Sequence, residues 1–199
     1  MQFEGVIAGI GTGSGTRLVL GHWSRSPFGA FSDVMLERAD GRRTLLAPTR
    51  RTADFVAATY TFDHVRVVPV TVRSSGRQWD VQAADLRMCF TLGGRGPLGL
   101  LLHAVPRALA AHPAWITLVD VPARVLPGVR TRGSAGRGRR EWYGVHDLRP
   151  VTAASASLAG DDLGPLAPVD PPVRFGFASV PRRPSLARVT TTVELAAHE

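Results

Sequence analysis

The stretch Ser32-Asp-Val-Met-Leu-Glu-Arg-Ala-Asp-Gly-Arg-Arg-Thr-Leu-Leu-Ala47 decides the fold class of this 199-residue chain. Two runs of strand-forming residues flank Asp40-Gly41, and Asp-Gly between such runs is the strongest short-range signal for a β-hairpin. Apolar and polar residues also alternate beyond this stretch, most clearly over residues 86–92, which is typical of a half-buried strand. The sequence therefore predicts an antiparallel sheet.

Working outward from the hairpin, we predict about nine strands and two or three short helices. One helix begins at Thr49 or Thr52 and ends near Tyr60, and a second covers residues 97–111, with a kink or a break at Pro106. The remaining predicted strands include residues 65–72, with a bulge or an edge position beside a proline, and residues 141–146, 150–158, 173–177 and 185–195. Because helices and strands do not alternate regularly, the predicted class is α+β, with a mostly antiparallel sheet curled like a barrel or a cone.

The length predicts one domain over residues 1–199. Within it, glycine and arginine dominate residues 127–140, which we expect to form a mobile loop. The C-terminus, at about residues 196–199, is expected to be frayed.

The chain contains no lysine, so all 24 of its Lys+Arg residues are arginine, and the formal net charge is +8. This composition excludes mechanisms that need a side-chain amine, including Schiff-base catalysis and the lysine of a phosphate-binding P-loop. The excess of arginine has two interpretations. It reflects either a GC-rich genome acting on neutral surface positions, or a polyanionic partner such as nucleic acid.

The single cysteine, Cys89, excludes an intrachain disulfide and favours a reducing compartment. The first residues lack the positive region of a signal peptide, and the longest apolar run is much shorter than the ~20 residues of a membrane span. We therefore expect a soluble bacterial cytoplasmic protein without a membrane partner. The six histidines have no compact metal-ligand spacing, so we predict no metal and no cofactor.

The densest charge cluster lies in the Arg/Gly segment, residues 127–140, and aromatic residues follow it directly. We consider three interpretations: a solvated connection, a clamp for a small anion, and a nucleic-acid-binding loop on whose aromatic rings bases stack. The candidate ligand-binding residues are Arg132, Arg137, Arg139, Arg140, Trp142 and Tyr143.

Residues 26–37, Ser-Pro-Phe-Gly-Ala-Phe-Ser-Asp-Val-Met-Leu-Glu, resemble a segment of the acetoacetate-decarboxylase-like superfamily. That family carries a Gly-Pro-Tyr-x-Glu-Val type of strand entrance, whose acidic residue faces the active-site cavity. The resemblance covers roughly residues 20–75 and implies a conical sheet around an internal cavity, with Gly29, Ala30, Phe31 and Asp33 at the matching positions. Asp33 is then a candidate catalytic residue, although a surface strand residue paired with an arginine is the alternative.

The chain departs from this family at the catalytic lysine, which the resemblance places in a Gly-Phe-Pro-Lys segment after the short helix. The comparable stretch here is Tyr60-Thr-Phe-Asp-His64, so no imine can form on a side chain of this sequence. Asp33 and Glu37 share one strand face and are the remaining acid–base candidates near the motif.

We expect the protein to bind a small anionic or carboxylate ligand in an internal cavity of the curled sheet, without Schiff-base chemistry. Whether it is an enzyme is left open. The alternatives are a nucleic-acid-associated protein that uses the Arg/Gly segment, and a partner-binding protein with no small-molecule site.

Overall fold

The computed structural model describes residues 1–104, 132–135, 139–176 and 180–194. Within these residues the chain forms thirteen strands and two helices. In chain order they are β1 (Gln2–Thr12), β2 (Arg17–Arg25), β3 (Phe31–Glu37), β4 (Arg43–Ala47), α1 (Arg50–Thr59), β5 (His64–Val67), β6 (Val70–Ser75), β7 (Gln78–Ala83), β8 (Leu86–Leu92), α2 (Pro97–Ala104), β9 (Arg132–Ala135), β10 (Arg139–Leu158), β11 (Asp161–Asp162), β12 (Leu166–Ala167) and β13 (Ser185–Glu194).

The strands form one sheet in the order β5-β4-β3-β2-β1-β13-β10-β8-β7-β6, and the short strands β9, β11 and β12 attach to its sides. Neighbours along this path are antiparallel except β4 and β5, which are parallel. One apolar cluster joins side chains from β1–β4 with side chains from β7, β8 and β10. Because two distant parts of the sheet share this cluster, the sheet is curled, and the predicted α+β class with a curled antiparallel sheet is confirmed.

The first four strands are apolar on both faces. Val34 and Leu36 of β3 face the cluster inside the curl, whereas Met35 packs into a second cluster on the other face. Helix α1 covers this second face together with Val169, Val173, Phe175 and Val180. A strand buried on both faces loses the simple alternation of apolar and polar residues, which explains the nearly continuous apolar run of β3.

Helix α1 begins where the sequence predicts. Thr49 is its N-cap and forms a capping box with Thr52, since each side chain accepts a hydrogen bond from the backbone of the other. The second helix is described over Pro97–Ala104, and the rest of the predicted helix, residues 105–111, lies outside the described residues. Neither described helix is long and apolar enough to span a membrane.

Three strand predictions are wrong in their bounds. Residues 65–72 do not form one strand, because β5 lies at one end of the sheet and β6 at the other. The predicted edge position is therefore correct, but the prediction of a single continuous strand is wrong. The two strands predicted at 141–146 and 150–158 are one long strand, β10, which accommodates Pro150 and two register shifts. Residues 173–176 form no strand, because this segment packs its apolar side chains against the sheet face instead of pairing with an edge.

Candidate functional site

Asp33 of β3 is a carboxyl group buried in apolar surroundings, with 3% of its surface exposed. Its Oδ1 accepts a hydrogen bond from Nε1 of Trp23 at 3.1 Å. Gly21 pairs with Asp33 across the two strands, and a Cβ atom there would lie 2.6 Å from Asp33 Oδ1 and 2.8 Å from Trp23 Nε1. The close approach of the indole to the carboxylate therefore requires glycine at position 21.

A cavity of about 70 Å³ lies between helix α1 and strands β1, β2, β3 and β13. Asp33 is the only charged residue in its described lining. The other lining residues are Phe3, Ile7, Val19, Gly21, Trp23, Phe31, Met35, Phe55, Val56, Thr59, Tyr60, Val180, Thr191 and Val193. The cavity is thus on the sheet face that α1 covers, whereas the inside of the curl is filled by the first apolar cluster.

Burial raises the pKa of Asp33 from 3.8 to about 7, although the hydrogen bond from Trp23 lowers it in part. Removing a carboxylate from water penalises its charged form, and one neutral donor does not offset that penalty. Near neutral pH both protonation states are populated, so Asp33 is able to accept or donate a proton. Perturbed groups of this kind are characteristic of functional sites.

Thr191 of β13 is the second polar feature of the cavity. It is 4% exposed, and its Oγ1 has no hydrogen-bond partner among the described residues. A buried hydroxyl without a partner costs about 1–3 kcal/mol. Its position in the cavity wall makes it a second point at which a ligand is able to form a hydrogen bond.

Aromatic rings surround one side of this cavity. Phe3 lies 5.2 Å from Phe55 and 5.7 Å from Trp23 between ring centroids, and Phe28 lies 5.0 Å from Phe55. The guanidinium carbon of Arg51, in the first turn of α1, lies 5.0 Å from the centroid of the Phe28 ring. This is cation–π geometry, and it places a positive charge next to the aromatic group.

Glu37, the other acid–base candidate, lies outside the cavity lining. It is fully buried and forms an ion pair with Arg17 at 2.9 Å. It also accepts hydrogen bonds from the backbone nitrogen of Arg174 at 2.7 Å and from Nε of that residue at 3.0 Å. Because both oxygens of Glu37 are engaged by donors and the residue lies outside the cavity lining, the geometry favours Asp33 over Glu37 as the chemically active group.

The structure places the backbone of the Arg/Gly segment in part. Arg132 is in β9, and Arg139, Arg140, Trp142 and Tyr143 are in the first part of β10. Arg137 lies outside the described residues. In the register of β10 and β13, Tyr143 pairs with Thr191 and Glu141 pairs with Val193, so the segment runs beside a strand that lines the cavity. Anion or nucleic-acid binding by these residues stays a prediction.

Two histidines and the single cysteine have local hydrogen-bond partners. Nδ1 of His22 lies 2.8 Å from Oγ of Ser32, and Nε2 of His146 lies 2.7 Å from Oγ1 of Thr190. The half-buried Cys89 accepts a weak hydrogen bond from Gln78 at 3.4 Å. In the part of the chain that the structure describes, no group of three His, Cys, Asp or Glu side chains is placed to hold a metal ion.

Sequence reasoning found Asp33 but not its surroundings. Gly21 and Trp23 carry a usable signal, because residues two apart in a strand share one face, and the strand that contains both, β2, pairs with the strand of Asp33. Thr191 gives no such signal, since a threonine in an amphipathic strand is equally typical of a solvent-facing position.

Neither a protein-family profile nor a curated protein matches the sequence. The structure is similar to the crystal structure of acetoacetate decarboxylase from Legionella pneumophila, with 9% sequence identity and a TM-score of 0.44 over 96% of this chain and 83% of that chain. This structural similarity is loose.

Proposed function

We propose that the protein binds a small organic acid with an apolar body, and that the Asp33 carboxyl forms a hydrogen bond with an oxygen atom at the inner end of that ligand. The observation that carries the proposal is a buried carboxyl in an apolar cavity, with a hydrogen bond to Oδ1 alone among the described residues. Binding sites of this kind are largely apolar, with a few polar groups that fix the ligand orientation.

The charge of the ligand is expected to point out of the cavity. The described lining contains no arginine or histidine, and its one acidic residue is Asp33. A carboxylate buried next to Asp33 would lose its hydration without gaining a cation. A neutral oxygen is therefore the atom that suits the inner end.

The cavity accommodates only a short group. Its volume of about 70 Å³ is roughly half of the ~150 Å³ of an engineered protein cavity that binds benzene. A methyl ketone or an alcohol end fits this size, and the rest of the molecule then extends toward the mouth. Because the sequence has no lysine, binding involves no imine with a side chain.

Ligand titrations by NMR with 4-oxopentanoate test the proposal. The inner oxygen of this probe needs a donor, which Asp33 provides only when it is protonated, so the affinity should fall about tenfold between about pH 6 and about pH 8. D33N provides an amide donor at either pH and should bind with little pH dependence, whereas D33L should bind weakly at both.

D54N is the matched control, since Asp54 is an exposed carboxylate of α1 that pairs with Arg50. It should retain the affinity and the pH dependence of the unmodified protein. Equal affinity of the unmodified protein and D33L for the probe would contradict the proposal, provided that both variants keep the native near-ultraviolet circular dichroism spectrum.

A further inference from the structure

A groove on the outer face of strands β6, β7, β8 and β10 is separate from the Asp33 cavity, and the two linings share no residue. Its volume of about 500 Å³ is within the ~300–1,000 Å³ that is usual for sites that bind small molecules. Val81 and Met88 point into the first apolar cluster, inside the curl. Because successive side chains of a strand alternate between its faces, the polar residues beside them face the groove.

Three charged side chains lie next to one another in this groove. Arg73 of β6 is directly opposite Asp80 of β7. Asp80 is in turn opposite Cys89 of β8, and Arg87 is two residues before that cysteine. Side chains opposite each other in a sheet have Cβ atoms about 5 Å apart, and diagonal neighbours are about 7–8 Å apart. Asp80 therefore lies between the two arginines, which both reach over it.

These three charges are available to a ligand. All three side chains are exposed, and none of them forms an ion pair within the described residues. Exposed arginines elsewhere in the described chain do pair, as Arg66 does with Asp85 at 2.7 Å. The groove thus presents two cations and one anion whose charges are not neutralised by contacts with the rest of the described chain.

The fourth charged residue of the described lining is already engaged. Asp162 accepts a hydrogen bond from the backbone nitrogen of Gly164 at 2.9 Å, which stabilises the turn after β11. Ser155 and Ser157 of β10 and Gln82 of β7 add uncharged donors and acceptors. The described lining contains no aromatic ring, so the groove suits a small, strongly polar ligand and not a flat apolar one.

We propose that this groove binds an acidic amino acid, with one carboxylate at Arg73, the other at Arg87 and the ammonium at Asp80. The two negative charges and one positive charge of such a ligand complement the three side chains one by one. A dicarboxylate without an ammonium would instead place a like charge next to Asp80. The inference is independent of the proposed function, because it concerns another part of the sheet.

The sheet itself positions this set of charges. Asp80 and Arg87 are in β7 and β8, which pair with strands on both sides, so their backbone is fixed before a ligand arrives and less entropy is lost on binding. Each guanidinium is able to bind a carboxylate with two parallel hydrogen bonds. Because the groove is open, salt should weaken the binding.

Titration with L-glutamate, followed by amide NMR spectra, tests the inference. We expect saturable shifts in β7 and β8 at millimolar ligand. R73Q and R87Q should each weaken binding about three- to tenfold. R77Q is the matched control, since Arg77 is exposed in the turn between β6 and β7 and lies outside the described lining. It should leave the affinity unchanged.

N-acetyl-L-glutamate, which lacks the ammonium, tests the role of Asp80. It should bind the unmodified protein about three- to tenfold more weakly than glutamate does. D80N should weaken the binding of glutamate but not of the acetylated compound. The control is D161N, since Asp161 is exposed in β11 and lies outside the described lining, and it should change neither affinity.

Four results would overturn the inference. Absence of saturable shifts in β7 and β8 would make the groove an ordinary solvated face of the sheet. Equal losses in R73Q, R87Q and R77Q would assign the binding to a diffuse positive potential. Equal affinity for glutamate and its acetylated derivative would remove Asp80 from the site. Shifts confined to β3 and α1 would place glutamate in the Asp33 cavity instead.

Discussion

Asp33 and Glu37 lie on the same strand, on the same face and four residues apart, yet they are in opposite electrostatic situations. Both are almost completely buried. Glu37 lies against the guanidinium groups of Arg17 and Arg174. Asp33 lies against aromatic and aliphatic side chains, with one indole as its hydrogen-bond donor.

Burial alone therefore does not identify a functional carboxyl group. A buried carboxylate that several donors and a cation contact holds segments of the chain together. At Glu37 these segments are β2, β3 and the chain around Arg174. A buried carboxyl with one neutral donor is instead poised between its two protonation states, and it lies in a cavity that has room for a ligand.

The largest expected effect comes from E37Q. The amide removes the negative charge and leaves the guanidinium of Arg17, which is 3% exposed, buried without its charged partner. Loss of one partner of a buried ion pair destabilises a protein by about 3–5 kcal/mol. Urea denaturation at neutral pH measures this loss directly.

Two variants sharpen the interpretation of E37Q. The double variant R17M/E37L should recover much of the lost stability, because it removes both buried charges together. D63N makes the same change in an exposed pair, since Asp63 lies 2.9 Å from Arg43 at the surface, and it should cost far less. Equal losses in E37Q and D63N would mean that burial of the ion pair has no energetic consequence.

The sequence predicts where Asp33 and Glu37 lie on the strand, but not the ion pair of Glu37. The alternation in β3 places Asp33, Met35 and Glu37 on one face, and the resemblance of residues 26–37 singled out Asp33. The partner of Glu37 depends on the register of β2 with β3, in which Arg17 is directly opposite Glu37. Register is set by the hairpin geometry and by burial on both faces, which one sequence does not specify.

The same limit explains the errors in the fold. Pro69 among the valines of residues 65–72 predicts an irregular strand. The passage of the chain from β5 at one end of the sheet to β6 at the other depends instead on the curl of the whole sheet. In the segment around Val173 and Phe175, apolar alternation resembles a strand although the side chains fill the second apolar cluster. Local pattern therefore predicted the fold class and the hairpin at Asp40-Gly41, and tertiary packing determined the rest.

A smaller effect, of opposite sign, is expected for D33N. The pKa of Asp33 is about 7 in the native protein, against the ordinary aspartate value of 3.8, so the unfolded chain releases this proton at lower pH than the native protein does. The contribution of Asp33 to stability is complete below pH 3.8 and is lost as the pH rises to about 7, at up to about 1.4 kcal/mol per pH unit. D33N should therefore be more stable than the unmodified protein at pH 8 by a few kcal/mol, and similar to it in acid.

Stability curves by urea denaturation across this pH range measure the difference. The gap between D33N and the unmodified protein should open above about pH 4 and become constant above about pH 7. A gap of constant size at every pH would show that the amide acts by packing and not by titration. A loss of stability in D33N at pH 8 would place Asp33 in the same situation as Glu37.

The smallest effect is expected for G21A, which acts on the one donor that Asp33 has. The new methyl group would lie 2.6 Å from Asp33 Oδ1 and 2.8 Å from Trp23 Nε1, so the hydrogen bond between them has to lengthen, at a cost of about 1–3 kcal/mol. Because this hydrogen bond lowers the pKa of Asp33, its loss should raise that pKa further, which NMR measures from the carboxyl carbon shift. The indole proton of Trp23 should move upfield in the same samples.

G94A is the matched control, since a Cβ atom there meets nothing within 4 Å, and it should change neither signal. If G21A left the pKa of Asp33 unchanged, the hydrogen bond from the Trp23 indole would have no influence on that pKa. Asp33 and Glu37 would then differ only in the cations around Glu37.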